Sequence, residues 1–226
     1  MGFILGNSES QTGWSPIKDL SIEGKEVSSI QYCTNSGLVE VWRKDTQLYV
    51  LDKDDTLRCP PWAIYADIIT LGGGGGGSGG SDANADGNGG SPGAWRSTVW
   101  AMIPGRILSV KVGTGGAGGA GGKAASGSPG TLSQVTLDDR DWVVSSEGGA
   151  GGTGTGGSPG KSPGGFAFIN YGDRMDLVGG AEQSNTSTDG NGPGGGGGPG
   201  KGALLYGSKA GGNGAPGRVW VRFRSG

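Results

Sequence analysis

Histidine is absent from this 226-residue chain, and its absence removes every Ser-His-Asp or Cys-His catalytic arrangement and every imidazole metal ligand. Cysteine occurs only at Cys33 and Cys59, a spacing that makes no CxxC zinc or redox pair. Two free core thiols and a disulfide between Cys33 and Cys59 are both compatible with that pair. Charge is sparse and balanced: 18 basic and 20 acidic residues give a formal net charge of -2, with no basic stripe to neutralise phosphates, so nucleic acid is not an expected partner. No apolar run approaches the roughly 18 residues that cross a bilayer. The opening Met1-Gly-Phe-Ile-Leu-Gly6 also lacks the basic start of a secretion signal. Membrane insertion is therefore not expected, and neither is a cofactor or an enzymatic activity.

What the chain has in excess is glycine. Of 55 glycines, 5 lie in residues 1–71 and the other 50 from Gly72 onward. With the break at Cys59-Pro60-Pro61, this shift divides the chain into an N-terminal β module, 1–60, serving assembly or anchoring, and a glycine-rich β domain, 61–226. In the first part, short apolar runs around Leu20-Ser-Ile22, Val27 to Ile30, Leu38 to Trp42 and Gln47 to Leu51 alternate with turn clusters and predict antiparallel strands. In the second, Trp62 to Leu71, Trp95 to Ile103, Leu108 to Val112, Leu132 to Leu137 and Trp142 to Ser145 predict more. In Arg218 to Arg224 the alternation of Val219, Val221 and Phe223 with Trp220, Arg222 and Arg224 predicts a strand buried on one face. The fold class is all-β.

Glycine segments 113–130, 148–165 and 179–202 are too long for ordinary loops and too glycine-rich for helices. Taken alone they read as flexible linkers. They alternate, however, with strands that need one another to form a sheet. They also carry repeated Pro-Gly dipeptides, at prolines 129, 159, 163, 193 and 199, which fix φ near the polyproline II value. Collagen is excluded because no strict three-residue period runs through the chain. The expectation is a set of packed polyglycine II-like extended segments, in which missing side chains let neighbouring backbones pair.

Familiar motifs fail on their context. GxGxxG matches recur without a βαβ unit, and Thr155 to Ser162 lacks the first glycine of a phosphate-binding loop. Asp82-Ala-Asn-Ala-Asp-Gly87 begins like an EF-hand loop but has Gly93 where the bidentate glutamate belongs. No metal site is expected. The polar stretch of Glu182, Gln183, Asn185, Thr186, Thr188 and Asp189 is the candidate exposed recognition loop, with 81–94 as a second. Seven tryptophans, most of them within strand patterns, suit core or interface packing better than a sugar-stacking platform.

The order of several segments resembles the glycine-rich minor tail proteins of phages that infect actinobacteria. The matching residues are Pro61-Trp-Ala-Ile-Tyr-Ala-Asp-Ile-Ile-Thr-Leu-Gly-Gly-Gly-Gly-Gly-Gly77, Val110-Lys-Val-Gly-Thr-Gly-Gly-Ala-Gly-Gly119 and Gly214-Ala-Pro-Gly-Arg-Val-Trp-Val-Arg-Phe223. A looser similarity reaches the glycine-rich tail-fibre tip adhesins of T-even-like phages. The resemblance implies a virion protein made in the host cytoplasm, placed at the tail tip or fibre as a homo-oligomer, with a trimer favoured. The implied partners are other tail proteins and a host cell-surface glycan, and the alternative reading is a dedicated receptor-binding adhesin that recognises a host cell-wall glycan.

Overall fold

The computed structural model describes residues 46–138, 140–170 and 173–225, and before them the backbone of four strands. Those four form two antiparallel hairpins, β1 (Ser21–Ile22) with β2 (Lys25–Glu26) and β3 (Ser29–Thr34) with β4 (Gly37–Arg43). Ten strands follow: β5 (Thr46–Leu51), β6 (Asp55–Arg58), β7 (Tyr65–Leu71), β8 (Trp95–Ala101), β9 (Ile107–Lys111), β10 (Ser133–Leu137), β11 (Val143–Ser146), β12 (Gly165–Asn170), β13 (Asp173–Val178) and β14 (Arg218–Arg224). No helix occurs among the described residues, and the fold is all-β.

Two four-stranded antiparallel sheets, ordered β5-β14-β7-β8 and β11-β10-β9-β6, pack face to face. The period-2 alternation of side chains decides what lies between them. Leu51, Ala66, Ile68, Trp100, Val219, Val221 and Phe223 from the first sheet meet Leu57, Leu108, Val110, Val135, Leu137 and Val144 from the second. The division drawn at residue 60 from the glycine shift runs through this sandwich, since β5 pairs with β14 and β6 with β9. Cys59 sits in the same core as a free thiol, 1% exposed, facing the carbonyls of Pro60 and Ala63. No bridge to Cys33 is formed from that enclosed position; the Cys33 side chain lies outside the described residues.

The alternation of β14 predicts one wet face, yet Trp220, Arg222 and Arg224 are buried as well. The β12–β13 hairpin covers that face, laying Phe166, Phe168, Met175 and Leu177 over Ile69, Leu71 and Trp220. Beside this apolar cover, Asp67 is fully buried. It accepts from Arg222 Nε at 2.9 Å, from Arg224 Nε at 3.1 Å and from the hairpin's Asn170 Nδ2 at 2.8 Å.

Strands β7, β8, β9, β10, β11 and β14 each continue into an extended glycine segment, so the sandwich grows into a bundle. At its centre is 72–80. The amides of Gly72, Gly75 and Ser78 donate to the carbonyls of Ala94, Ser91 and Asn88. Those of Gly73, Gly76 and Gly79 donate to Thr131, Ser128 and Ala125, and those of Gly74, Gly77 and Gly80 to Ala215, Gly212 and Lys209. Every third residue thus returns to the same neighbour, as a helix with three residues per turn requires. The carbonyls of 72–80 accept in the same rhythm from 113–122, 148–152 and 194–202. Six segments of alternating direction therefore ring one central helix, and the ring closes through its own bonds, such as Gly214 to Gly116 and Gly130 to Gly149.

Glycine is required here by distance. A Cβ on Gly73 or Gly76 would lie 2.1 Å from the carbonyl oxygen of Thr114 or Ala117, far inside any real contact. The ring segment 113–121 keeps one face in solvent, its burial running buried, exposed, intermediate. The exposed phase carries Thr114, Ala117 and Ala120. The three-residue period that the chain as a whole lacks is present within each segment. The run 193–200 is buried throughout and forms a second enclosed helix, walled on its far side by Lys161 and Thr188, whose carbonyls accept from Gly196 and Gly198.

Candidate functional site at the free end of the bundle

Four turns, 81–87, 122–125, 153–157 and 201–209, meet at the end of the bundle away from the sandwich. Each holds at least one glycine, as the reversal of an extended chain favours, and 81–87 adds Asp82, Asn84 and Asp86. They are tied to one another by single β-bridges, Ser81 with Ala85 and Lys123, Ala83 with Leu204, and Gly87 with Thr155. Ala203 N–H donates to the Ser81 carbonyl and Asn84 N–H to the Ala203 carbonyl, both at 3.1 Å. These contacts make the four turns one braced platform.

Its carboxylates are committed inside that platform. Asp86 accepts from Gly202 N–H at 2.7 Å and from Lys201 Nζ at 3.1 Å. The Gly202 amide, aided by the Lys201 ammonium, holds the Asp86 carboxyl below the usual carboxylate range. Asp82 accepts from Ser208 Oγ at 2.6 Å. Neither Asp of the EF-hand-like stretch is left pointing at a shared centre. Asn84, Asp86, Thr155, Gly157 and Lys201 line an open polar depression of about 450 Å³. From the platform rises the turn that carries Leu204, Leu205 and Tyr206, with Leu205 and Tyr206 at φ of 50° and 68°.

The candidate recognition loop lies elsewhere, along the flank of the second enclosed helix. Gln183 is buried and acts as a fastener: its Nε2 donates to the Asp189 carbonyl at 2.8 Å and its Oε1 accepts from Asn185 N–H at 3.1 Å. Thr188 Oγ1 donates to the Thr186 carbonyl, the Asp189 carboxylate accepts from Asn213 N–H, and the Thr188 carbonyl accepts from Gly198 N–H. Glu182, Asn185, Thr188 and Asp189 are exposed, Thr186 half so. The second candidate, 81–94, divides in two. Residues 81–87 belong to the platform, whereas 88–94 is a ring segment, because Asn88, Ser91 and Ala94 accept from the central helix.

Residues 52–224 match the profile of a glycine-rich domain family. The chain belongs to that family. Comparison with curated proteins gives no match. The match opens at Asp52, just after β5, which agrees with β6 being a strand of the sandwich.

Within this glycine-rich domain the tryptophans with described side chains serve packing. Trp62, Trp100 and Trp220 are buried, and Trp95 is stacked between Phe166 and Trp220 at centroid distances of 5.3 Å. The residues that sequence reasoning passed over are Leu204, Leu205 and Tyr206. Their signal is an apolar triplet set between Gly202 and Gly207, where the glycine-rich domain otherwise places small or polar residues.

Proposed function

We propose that this glycine-rich domain protein is a bacteriophage minor tail protein, a non-enzymatic structural component of the tail tip or fibre. In this reading it is exposed on the virion as a homo-oligomer, a trimer, and contributes to attachment at the host surface. The observation that carries the reading is the polarity of the molecule. Strand β5 begins at Thr46, paired with Arg224 at the end of the sheet away from the bundle. The braced turns lie at the opposite end. Nine residues of the central helix extend about 28 Å at roughly 3.1 Å per residue, a stiff spacer between an anchoring end and a presenting end. The resemblance of the segment order to that of actinobacteriophage minor tail proteins supports the same assignment.

Immuno-electron microscopy tests it. Antibody raised against the full chain should decorate one end of the tail of virions produced by cells that carry its gene, and should slow adsorption. Purified virions that lack the chain would refute the assignment.

A further inference from the structure

Leu204, Leu205 and Tyr206 are 69%, 83% and 91% exposed, consecutive in sequence and raised on one turn. Large apolar side chains are common on protein surfaces singly; a protruding group of three is not. The turn that holds them is also conformationally costly, because Leu205 and Tyr206 both occupy the left-handed region that side chains with a Cβ rarely adopt. Its feet are fixed by the Ala83–Leu204 bridge and by Lys209 N–H donating to the Lys201 carbonyl at 2.8 Å. Folding of the isolated chain gains nothing from exposing these side chains or from straining this backbone.

The charge around the turn indicates what it meets. Both acids of the platform are engaged, Asp86 by Gly202 and Lys201 and Asp82 by Ser208. Lys123 and Lys209 are exposed and make no ion pair among the described residues. The tip is therefore a convex apolar finger with free ammonium groups around its base. A sugar uses hydrogen-bonding groups and one aromatic face, and has little use for two leucines. A lipid interface accepts a convex apolar tip without a matching pocket, takes tyrosine at headgroup depth and meets lysines with phosphates.

We infer that the 203–207 turn docks shallowly into a lipid surface bearing anionic headgroups, with Leu204, Leu205 and Tyr206 in the interfacial layer and Lys123 and Lys209 on the phosphates. Three side chains reach the interface and do not span it, in keeping with the lack of a long apolar run. The inference stands whether or not the protein belongs to a phage tail.

Flotation of the full chain with vesicles of equal parts phosphatidylglycerol and phosphatidylcholine tests it. The wild-type chain floats with the vesicles, and Leu205→Asp lowers the bound fraction at least tenfold. Lys123→Glu and Lys209→Glu lower it about fivefold each, as does replacing the anionic lipid. Tyr206→Gly separates binding from folding: it relieves the strained φ, so the variant melts no lower than wild type yet floats less. A wild-type chain that does not float, or Leu205→Asp floating as well as wild type, overturns the inference. So does Leu205-dependent binding to delipidated cell walls without binding to vesicles, which would place a glycan or protein on the turn.

Discussion

A methyl group on Gly76 would bring its carbon 2.1 Å from the Ala117 carbonyl oxygen, in a neighbour whose backbone is bonded to the central helix and the ring on either side. The neighbour has no slack to yield, so Gly76→Ala is expected to destabilise the fold by about 3 kcal/mol or more. Ala117→Ser, one segment away on the solvent phase, should stay within about 0.5 kcal/mol; thermal melts of the two variants make the comparison. Ser78 interrupts the glycine run for a different reason. Its hydroxyl accepts from Asn88 N–H at 2.7 Å and donates to the Gly154 carbonyl at 2.6 Å, where φ of 66° lets the 148–153 segment turn away and leave room. Ser78→Gly fits sterically but strands both backbone groups, for an expected loss of about 1–3 kcal/mol in denaturant unfolding. Cys59 supplies a third residue-scale prediction. Burial pushes its thiol up from 9.0 to about 11. The folded state therefore favours the protonated thiol, and that contribution to stability is complete below pH 9 and is lost as pH rises toward 11. At pH 8 a thiol reagent such as DTNB should label Cys59 only on unfolding, whereas ready labelling of the native chain at Cys59 would contradict its burial.

At the scale of elements, the apolar cover of the β12–β13 hairpin is joined by a buried polar cluster in the sheet, one carboxylate between two guanidinium groups, which Asn170 and Asp173 of the hairpin reach. Asp67→Asn keeps the shape but leaves Arg222 and Arg224 without their buried counter-charge, at an expected cost of about 3–5 kcal/mol. Hydrogen exchange should show the hairpin amides losing protection first, since both polar links of the hairpin to the sheet, Asn170 to Asp67 and Asp173 to Arg222, run through this cluster. Part of this layer is legible in the sequence. The alternation in 218–224 sets the two faces of β14 correctly, but nothing local says that the second face is covered, because Phe166 and Phe168 lie some fifty residues upstream. The bundle is legible in the same partial way. Unbroken runs, 72–77 and 194–198, mark the two helices enclosed on every side, and Gly-Gly-X repeats such as 115–120 mark ring helices with one wet face. Which helix touches which is not legible, since the bonds that decide it join residues as distant as Gly74 and Ala215 and involve no side chain. The same limit explains the flanking loop: Glu182 to Asp189 reads as a free polar loop because the amide and carbonyls that pin Gln183 leave no mark in its residue types. Leu204 to Tyr206 reads as a short apolar run, and only the φ values reveal a turn.

For the whole molecule, the fold makes the sandwich the foundation of the bundle, because the strands set the spacing and direction of the glycine segments that continue them. Each enclosed segment is held by backbone bonds to its neighbours, so the bundle should resist protease and melt with the sheets as one transition. The boundary follows from this. A chain starting at residue 61, where the glycine shift and the Pro-Pro break would place the cut, loses β5 and β6. It thereby exposes one edge of β14 and one of β9 and removes Leu51, Leu57 and Cys59 from the core. Three buried side chains of this kind are worth about 1.5–3 kcal/mol each, comparable together with the whole stability of an ordinary domain. A chain of residues 46–226 keeps every one of these contacts. Expressed side by side, 46–226 should be soluble and melt cooperatively, while 61–226 should aggregate or melt without cooperativity. Equal stability of the two would mean that the bundle organises itself without the outer strands of the sandwich, and that the order of dependence argued from the strand-to-helix continuity runs the other way.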